Sequence, residues 1–328
     1  MSAAEQRGAF PALCGKRGDR IHHRTFAALG TRVTVVLPGC DEARAETLLA
    51  SVRSTVHEHE FLLSRFRPES GISHINAAAG RRPVRPAEPL WQLLQVCRDY
   101  WRHTGGAFDI ALLPLVELWT RCRQEAREPS AAEYSAARAL CGLELLHFDE
   151  RQRQVQLLCP GAGLDLGGIG KGVIADAVAR LLREAGQPSA FLSFGESTVL
   201  GVKMHPAGFP WPVALAPLPG VVAECTVFPL ADSAFSCSAT SAWPSPNLSS
   251  LTLNPSTGRP LAGSRCLAVA ARTATEAEVL STAFLVLDKA NRARVAKAMS
   301  FQSALEIAWS GNPATPARTL WSYPPSTT

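Results

Sequence analysis

Residues 161–186 read GAGLDLGGIGKGVIADAVARLLREAG, and this stretch limits the fold more than any other. Six glycines between 161 and 172 rule out a continuous helix or strand there, because each adds backbone freedom that a regular element must lose. The second half of the stretch has the opposite character. Val173, Ile174, Ala177, Val178, Leu181 and Leu182 recur at helical spacing, with Arg180, Arg183 and Glu184 on the other side and Gly186 placed to end the run. A glycine-rich loop therefore opens onto an amphipathic helix. Helix N-termini offer free N–H groups and a positive dipole end to anions. Two familiar phosphate loops nevertheless fail on spacing. A Walker loop needs Ser or Thr after Gly-Lys, and here Gly172 comes after Lys171, while Asp165 stands where the first glycine belongs. The dinucleotide fingerprint breaks at Leu166, the third glycine site counted from Gly161 and Gly163. A tight strand-to-helix turn stays open as the plain alternative.

Of the 328 residues, 46% are hydrophobic and 19% charged, which describes a globular chain with a large core in one or two domains. The net charge of +5 is dispersed. Its densest group, Arg81, Arg82 and Arg85, is interrupted by Pro83 and Pro86 and has no interleaved aromatics, so nucleic-acid binding is not expected. The nine cysteines are scattered without a C-x-x-C pair, which argues against a disulfide framework or structural zinc and for a reducing compartment. The histidines show no ligand spacing; His57 and His59, two apart, fall on different sides of a helix. FPALCG, which carries Cys14, has the look of a lipoprotein signal, but Glu5 and Arg7 interrupt the apolar character of the segment before it and Leu13 is too large for the cleavage site. No segment has 18 uninterrupted apolar residues, so no membrane span is expected. The charged, non-apolar N-terminus makes the cytoplasm the location expected.

Along the chain, residues 1–24 read as an irregular arm, and TRVTVVL from Thr31 alternates like a strand. Apolar spacing predicts a long helix from Asp41 to about Phe66, then a polar loop or short strand over RFRPESGISHINAAAG, then a helix over Leu90–Trp101 stopped by Gly105-Gly106. Ser130 and Glu133 make a capping box. Leu145–Phe148 and Val155–Leu158 read as a hairpin, Ala190–Phe194 and Arg265–Ala271 as strands, and the proline-dense segment 205–264 as loop-rich β structure. Helices are expected over 276–287 and 289–299, with 311–328 an irregular tail. Strands that fall both in adjacent groups and between helices indicate an α+β fold, one domain spanning about 25–310.

Five stretches share an order: ALGTRVTV (28–35), LLSRFRPESGISHIN (62–76), TGGAFDIALLPLVELW (104–119), LDLGGIGKGVIAD (164–176), and LNPSTGRP (253–260) with AEVLSTAFLVL (277–287). Together they resemble the FAD:protein FMN transferase family, often called ApbE, from about Phe26 to Ile307. The resemblance implies a protein that takes FAD and Mg²⁺, splits the pyrophosphate with release of AMP, and attaches FMN to a Ser or Thr of an acceptor flavoprotein. By position it implies FAD contacts at Asp165 and Lys171, flavin or adenine packing at Leu29 and Phe66, a cofactor-holding turn at Ala107-Phe108-Asp109, and a further contact at Leu253. It places the metal on the Gly168 carbonyl, Glu278 and Thr282. Glycine suits that role, since a carbonyl reaches a metal where no side chain blocks it. Each assignment keeps a plainer alternative. Asp109 would cap its own turn, Lys171 would be a solvated first-turn residue, Phe66 and Leu29 would be core, and Glu278 would be the N3 partner of a Thr275 capping box.

The chain also departs from the family pattern. Leu251 stands where the motif around NPSTGRP has its histidine, and Asn254 where it has aspartate. Ser236-Cys237-Ser238 replaces a Thr-Ser-Gly turn, Phe194-Gly195-Glu196 replaces Gly-Gly-Asp, and Glu278 replaces the aspartate before LSTA. The catalytic base is left unassigned.

Overall fold

The computed structural model describes residues 21–215, 226–240, 251–299, 301–309 and 317–322. Residues 1–20 of the expected arm, parts of the proline-dense segment, and 310–316 and 323–328 lie outside the described residues. In chain order the elements are β1 (Ile21–Ala28), β2 (Thr31–Pro38), α1 (Glu42–Leu63), α2 (Gly71–Ala77), α3 (Glu88–His103), α4 (Leu113–Gln124), α5 (Ala131–Arg138), β3 (Leu146–Asp149), β4 (Gln154–Leu157) and α6 (Gly170–Glu184). They continue with β5 (Ala190–Phe194), β6 (Thr198–Val202), β7 (Trp211–Leu215), β8 (Thr226–Leu230), β9 (Ser233–Ala239), β10 (Leu253–Asn254), β11 (Arg259–Pro260), β12 (Ser264–Ala271), α7 (Ala274–Val286), α8 (Lys289–Ala298), β13 (Ser303–Trp309) and β14 (Ala317–Ser322).

Eight described strands form one sheet in the order β1-β2-β5-β6-β9-β12-β13-β14, every neighbour antiparallel. The fold is α+β, as the alternation of elements indicates. Side chains alternate between its faces as strand geometry requires. On β12, Leu267, Val269 and Ala271 join the main core with α1, α3, α6 and α7, while Cys266, Ala268 and Ala270 meet the β7–β8 hairpin through Trp211, Phe228 and Leu230. A satellite cluster of Leu112, Leu115, Trp119, Cys141 and Leu253 fastens α4 to the β10–β11 hairpin.

Four expectations change. Strand β1 starts at Ile21, inside the stretch read as an arm, because Ile21–Ala28 pairs residue for residue with Thr31–Pro38. The stretch read as a loop after α1 contains α2, capped by Ser70, whose hydroxyl accepts from the Ser73 N–H at 3.0 Å. Helix α4 has no counterpart among the expected elements; its periodicity is hidden by the flanking apolar run IALLP. Strand β14 lies in the stretch read as a tail and pairs with β13.

In α6 the buried stripe is Gly172, Ile174, Ala175, Val178, Ala179 and Leu182, turned toward the small residues relative to the expected apolar stripe. The cause is α7. A Cβ on Gly172 would stand 2.5 Å from the Ala274 carbonyl oxygen, so the two helices meet backbone to backbone. Gly172, Ala175 and Ala179 share a helix face, and the fully buried Ala274 and Ala277 start the facing helix.

Candidate functional site

The loop before α6 is held from three sides. The Asn76 side chain donates to the Leu164 carbonyl at 3.0 Å and accepts the Leu164 N–H at 2.8 Å, acting as a one-residue strand partner. The Asp165 N–H donates to the Ile110 carbonyl at 2.8 Å. The Asp165 carboxylate closes an Asx turn on the Gly167 N–H at 2.8 Å and takes the Arg65 guanidinium at 3.0 Å. Arg65 in turn lies over the Phe66 ring, 4.1 Å from its centroid. Phe66 is 78% exposed, which excludes the core reading of that residue.

Leu29 and Gly30 form the two-residue turn between β1 and β2 with φ of 56° and 66°, the left-handed pair of a type I′ turn. A leucine there is strained, and its N–H donates to Glu60 at 3.0 Å. Glu60 also pairs with Arg67 at 3.6 Å, which ties the hairpin tip to the segment carrying Arg65 and Phe66.

Ala107 and Phe108 are buried, and Phe108 backs the loop: a Cβ on Gly168 would meet its ring edge at 3.6 Å and the Thr282 hydroxyl oxygen at 4.0 Å. Asp109 caps its own turn, accepting from the Ala111 N–H at 2.7 Å and the Leu143 N–H at 3.1 Å. Burial pushes its carboxyl up to about 6 against the pull of those donors. Leu253 is turned into the satellite core at 6% exposure, which leaves little but its backbone to a ligand.

The centre of the site is a pair of crossed helix caps. Ile169 at the start of α6 supplies no side-chain cap, and the Glu278 carboxylate from α7 does so instead, accepting the Gly172 N–H at 2.6 Å. Asp176 from α6 returns the contact, accepting from the Ala274 N–H at 2.8 Å, the Thr275 N–H at 2.9 Å and the Thr275 hydroxyl at 2.6 Å. Helix α7 itself is capped by Thr273, which accepts from the Glu276 N–H at 3.1 Å. The cap expected at Thr275 thus sits two residues earlier, at Thr273, and Glu278 is free of it. Its other carboxylate oxygen accepts from the Lys171 ammonium, so Lys171 is not a solvated side chain. Alongside, the Ser238 hydroxyl bridges Thr282 at 3.0 Å and Ser281 at 2.8 Å. Ser238 and its neighbours Ser236 and Cys237 lie within strand β9, where the resemblance placed a turn.

Reading by residue type singles out Lys171, Glu278 and Asp165 but not their partners Arg65, Asn76 and Asp176. All three stand in the motif stretches, Arg65 and Asn76 in 62–76 and Asp176 in 164–176. Asn76 and Asp176 carry no spacing signal there, because each acts across the fold.

The ApbE family model matches residues 29–305. The chain belongs to the ApbE family. A protein named FAD:protein FMN transferase from Klebsiella pneumoniae (strain 342) is 34% identical over 177 residues, 54% of this chain and 55% of the relative. One of the same name from Salmonella typhimurium is 29% identical over 191 residues, 57% of this chain and 54% of the relative. The chain spans about half the length of the curated relatives it matches. Among solved structures, the apo flavinyl transferase ApbE of Pseudomonas stutzeri superposes with a TM-score of 0.79 at 24% identity, covering 92% of this chain and 94% of that one. The flavin transferase ApbE of Vibrio cholerae gives 0.78 at 21%, covering 93% and 97%. These likenesses show the ApbE fold.

The donors that the family resemblance assigns to magnesium are all hard oxygens, a carbonyl, a hydroxyl and a carboxylate, as that ion requires. Among the described residues no three His, Cys, Asp or Glu side chains cluster as a metal cage, so a cation here would draw its other ligands from phosphate or water. The Lys171 ammonium on Glu278 shows that a positive charge is accommodated at that carboxylate. The residues fit the ion. Among the described residues no helix is long and apolar enough to cross a membrane.

Proposed function

We propose that the protein transfers FMN from FAD to a Ser or Thr hydroxyl of an acceptor flavoprotein, with magnesium and with release of AMP. What supports this most is the meeting of three distant stretches at one loop–helix junction: Arg65 with Asp165, Gly168 against Thr282, and Lys171 on Glu278. In this reading the exposed Phe66 ring takes a flat ring of the dinucleotide, and the Gly167–Gly172 backbone and Lys171 receive the pyrophosphate. Gly168, Thr282 and Glu278 hold the metal, which when bound would neutralise charge on the scissile pyrophosphate. The acceptor hydroxyl oxygen forms a bond to the phosphorus on the flavin side and gives up its proton to water, the phosphoanhydride bond breaks, and AMP leaves with the bridging oxygen. The cytoplasmic location expected from the charged, non-apolar N-terminus is part of the reading.

A flavin-binding homologue with weak or no transfer is the competing reading, favoured by one observation. Leu251 packs half-buried against the satellite core and carries no proton acceptor, and no histidine occurs after His205 in the chain. General-base assistance is worth roughly 10²–10⁴ in rate, so slow turnover is expected. Incubating the protein with FAD, Mg²⁺ and an acceptor domain, then separating nucleotides by chromatography, tests the proposal. AMP formed in step with flavinylated acceptor supports it. Absence of AMP from both the native chain and the Leu251→His, Asn254→Asp variant ends the transferase reading.

A further inference from the structure

Glu278 is 4% exposed and Lys171 26% exposed, yet they form the one ion pair at the α6–α7 junction among the described residues. The two partners differ in how firmly they are held. Glu278 is fixed on a core helix and by the Gly172 N–H at 2.6 Å. Lys171 reaches it on a flexible four-carbon stem from the first turn of α6. A cation in that turn is disfavoured by the helix dipole, so it is the carboxylate that holds the ammonium there. A buried carboxylate stripped of its partner is strongly unfavourable, and some positive charge has to stand beside it. Only one of the two carboxylate oxygens is free of the backbone cap, and the Lys171 ammonium covers it. A divalent cation seated on Glu278 would need that same oxygen.

We propose that Lys171 is a placeholder for the metal: its ammonium occupies the cation position on Glu278 until a bound pyrophosphate draws it away, so that metal and dinucleotide load together. This rests on the FAD reading of the same site and adds an order of events to it. Metal affinity is then low without dinucleotide and rises with it, and by reciprocity the metal raises dinucleotide affinity by the same factor.

The test is Mn²⁺ binding by the full chain, followed through the electron paramagnetic resonance signal of the free ion, with and without FAD. Native protein should bind Mn²⁺ roughly tenfold more tightly with FAD present, within the range of ordinary coupled sites. Lys171→Met should gain about that factor without FAD, since nothing then competes for the oxygen. Adding Glu278→Gln should remove the gain, which places it at this carboxylate. Lys171→Gln, read by the Mg²⁺-induced rise in melting temperature, serves as a second variant should the methionine one fold poorly. Lys171 variants that bind metal no more tightly than native protein without FAD overturn the placeholder, as does a gain that survives Glu278→Gln. AMP release by the native chain, together with Lys171 variants unchanged in metal affinity, removes this proposal alone. The gain in Lys171→Met, with no AMP from either the native chain or the Leu251→His, Asn254→Asp variant, removes the transfer reaction and leaves the placeholder standing.

Discussion

Two glycine-bearing loops carry the family motifs, and they are built in opposite ways. Around 164–172 the polar groups come from three separate parts of the chain, and several remain half-exposed: Arg65 and Asp165 at 19% and 22%, Lys171 at 26%. Around 253–260 almost every contact folds the loop onto itself or the satellite core. The Asn254 side-chain oxygen accepts from the Ser256 N–H at 2.9 Å and the Ser256 hydroxyl at 2.8 Å, and the Trp119 indole donates to the Gly258 carbonyl at 2.9 Å. The Tyr134 hydroxyl donates to Thr257, and Arg138 lies within 3.0 Å of where a Gly258 Cβ would stand. Both loops match a motif, but one presents groups whose charges are paired by movable partners and the other is locked. A motif match therefore says that a loop is shaped, and its hydrogen bonds say whether the shape is open to a ligand.

The sharpest way to break the first loop is Gly172→Ala. The added Cβ meets backbone 2.5–2.7 Å away at Ala274 and Thr275, and backbone cannot step aside like a side-chain tip. Separating α6 from α7 would stretch both crossed caps at once, so a loss of about 3 kcal/mol is expected from overpacking alone. Urea denaturation measures it. A loss below about 1 kcal/mol would mean that the helices slide freely and that the crossed caps do not hold α6 and α7 at a fixed distance.

Asp109 gives a second, smaller contrast, because it is the motif residue whose carboxylate serves its own turn. Its folded pKa, about 6, lies above the usual carboxylate value of 3.8. The folded state therefore binds the proton more tightly than the unfolded state. Stability from this group is present below the unfolded pKa and is lost as pH rises through about 6. Native protein should lose about 2 kcal/mol relative to Asp109→Asn between pH 3.5 and 7, the linkage value of the shift discounted for partial exposure. Parallel pH–stability curves for the two proteins would show that Asp109 titrates normally.

Much of this is legible in the sequence where the signal is local. The stripe from Ala45 to Leu63 marks α1, and the Ser130–Glu133 box is present with both of its hydrogen bonds. Spacing cannot find α2, because GISHINA has only Ile72 and Ile75 to bury. At the site, Asp165, Lys171 and Glu278 stand out as charges in or facing a glycine loop. What each charge touches is not legible, since Arg65 and Glu278 lie 100 and 107 positions from their partners. The capping box misplaced at Thr275 shows the same limit. Two threonines stand two residues apart, each with a glutamate three positions on, and only the Asp176 carboxylate arriving from α6 decides between them.

Leu29→Asn probes the rim of the open loop with an effect near 1 kcal/mol. Leucine at φ 56° is strained, and asparagine followed by Gly30 is the preferred pair for this turn. Stability should rise by about 0.5–1 kcal/mol, less whatever the half-buried side chain contributed. If Leu29 lies against a ring of the dinucleotide, FAD affinity measured by calorimetry should fall while stability rises. A stability gain with FAD affinity unchanged would move the ligand away from the hairpin tip.

Asn254→Asp should be the smallest change of all, and its smallness is the point. The loop uses only an acceptor at this position, and the same oxygen in aspartate can take the Ser256 N–H and hydroxyl. Arg259 pairs with this residue across the hairpin, and the Arg138 guanidinium reaches the Ser256 carbonyl at 3.4 Å, so a new negative charge finds cations nearby. Exposed attractions of this kind are worth a few tenths of a kcal/mol, so melting should shift by the equivalent of less than about 0.5 kcal/mol, upward at low salt and not at high. The reverse exchange at Glu278, from carboxylate to amide, removes the partner of a lysine and weakens the cap of a helix. If Asn254→Asp proved as disruptive as Glu278→Gln, the locked loop would depend on charge as the open one does, and the contrast between the two would fail.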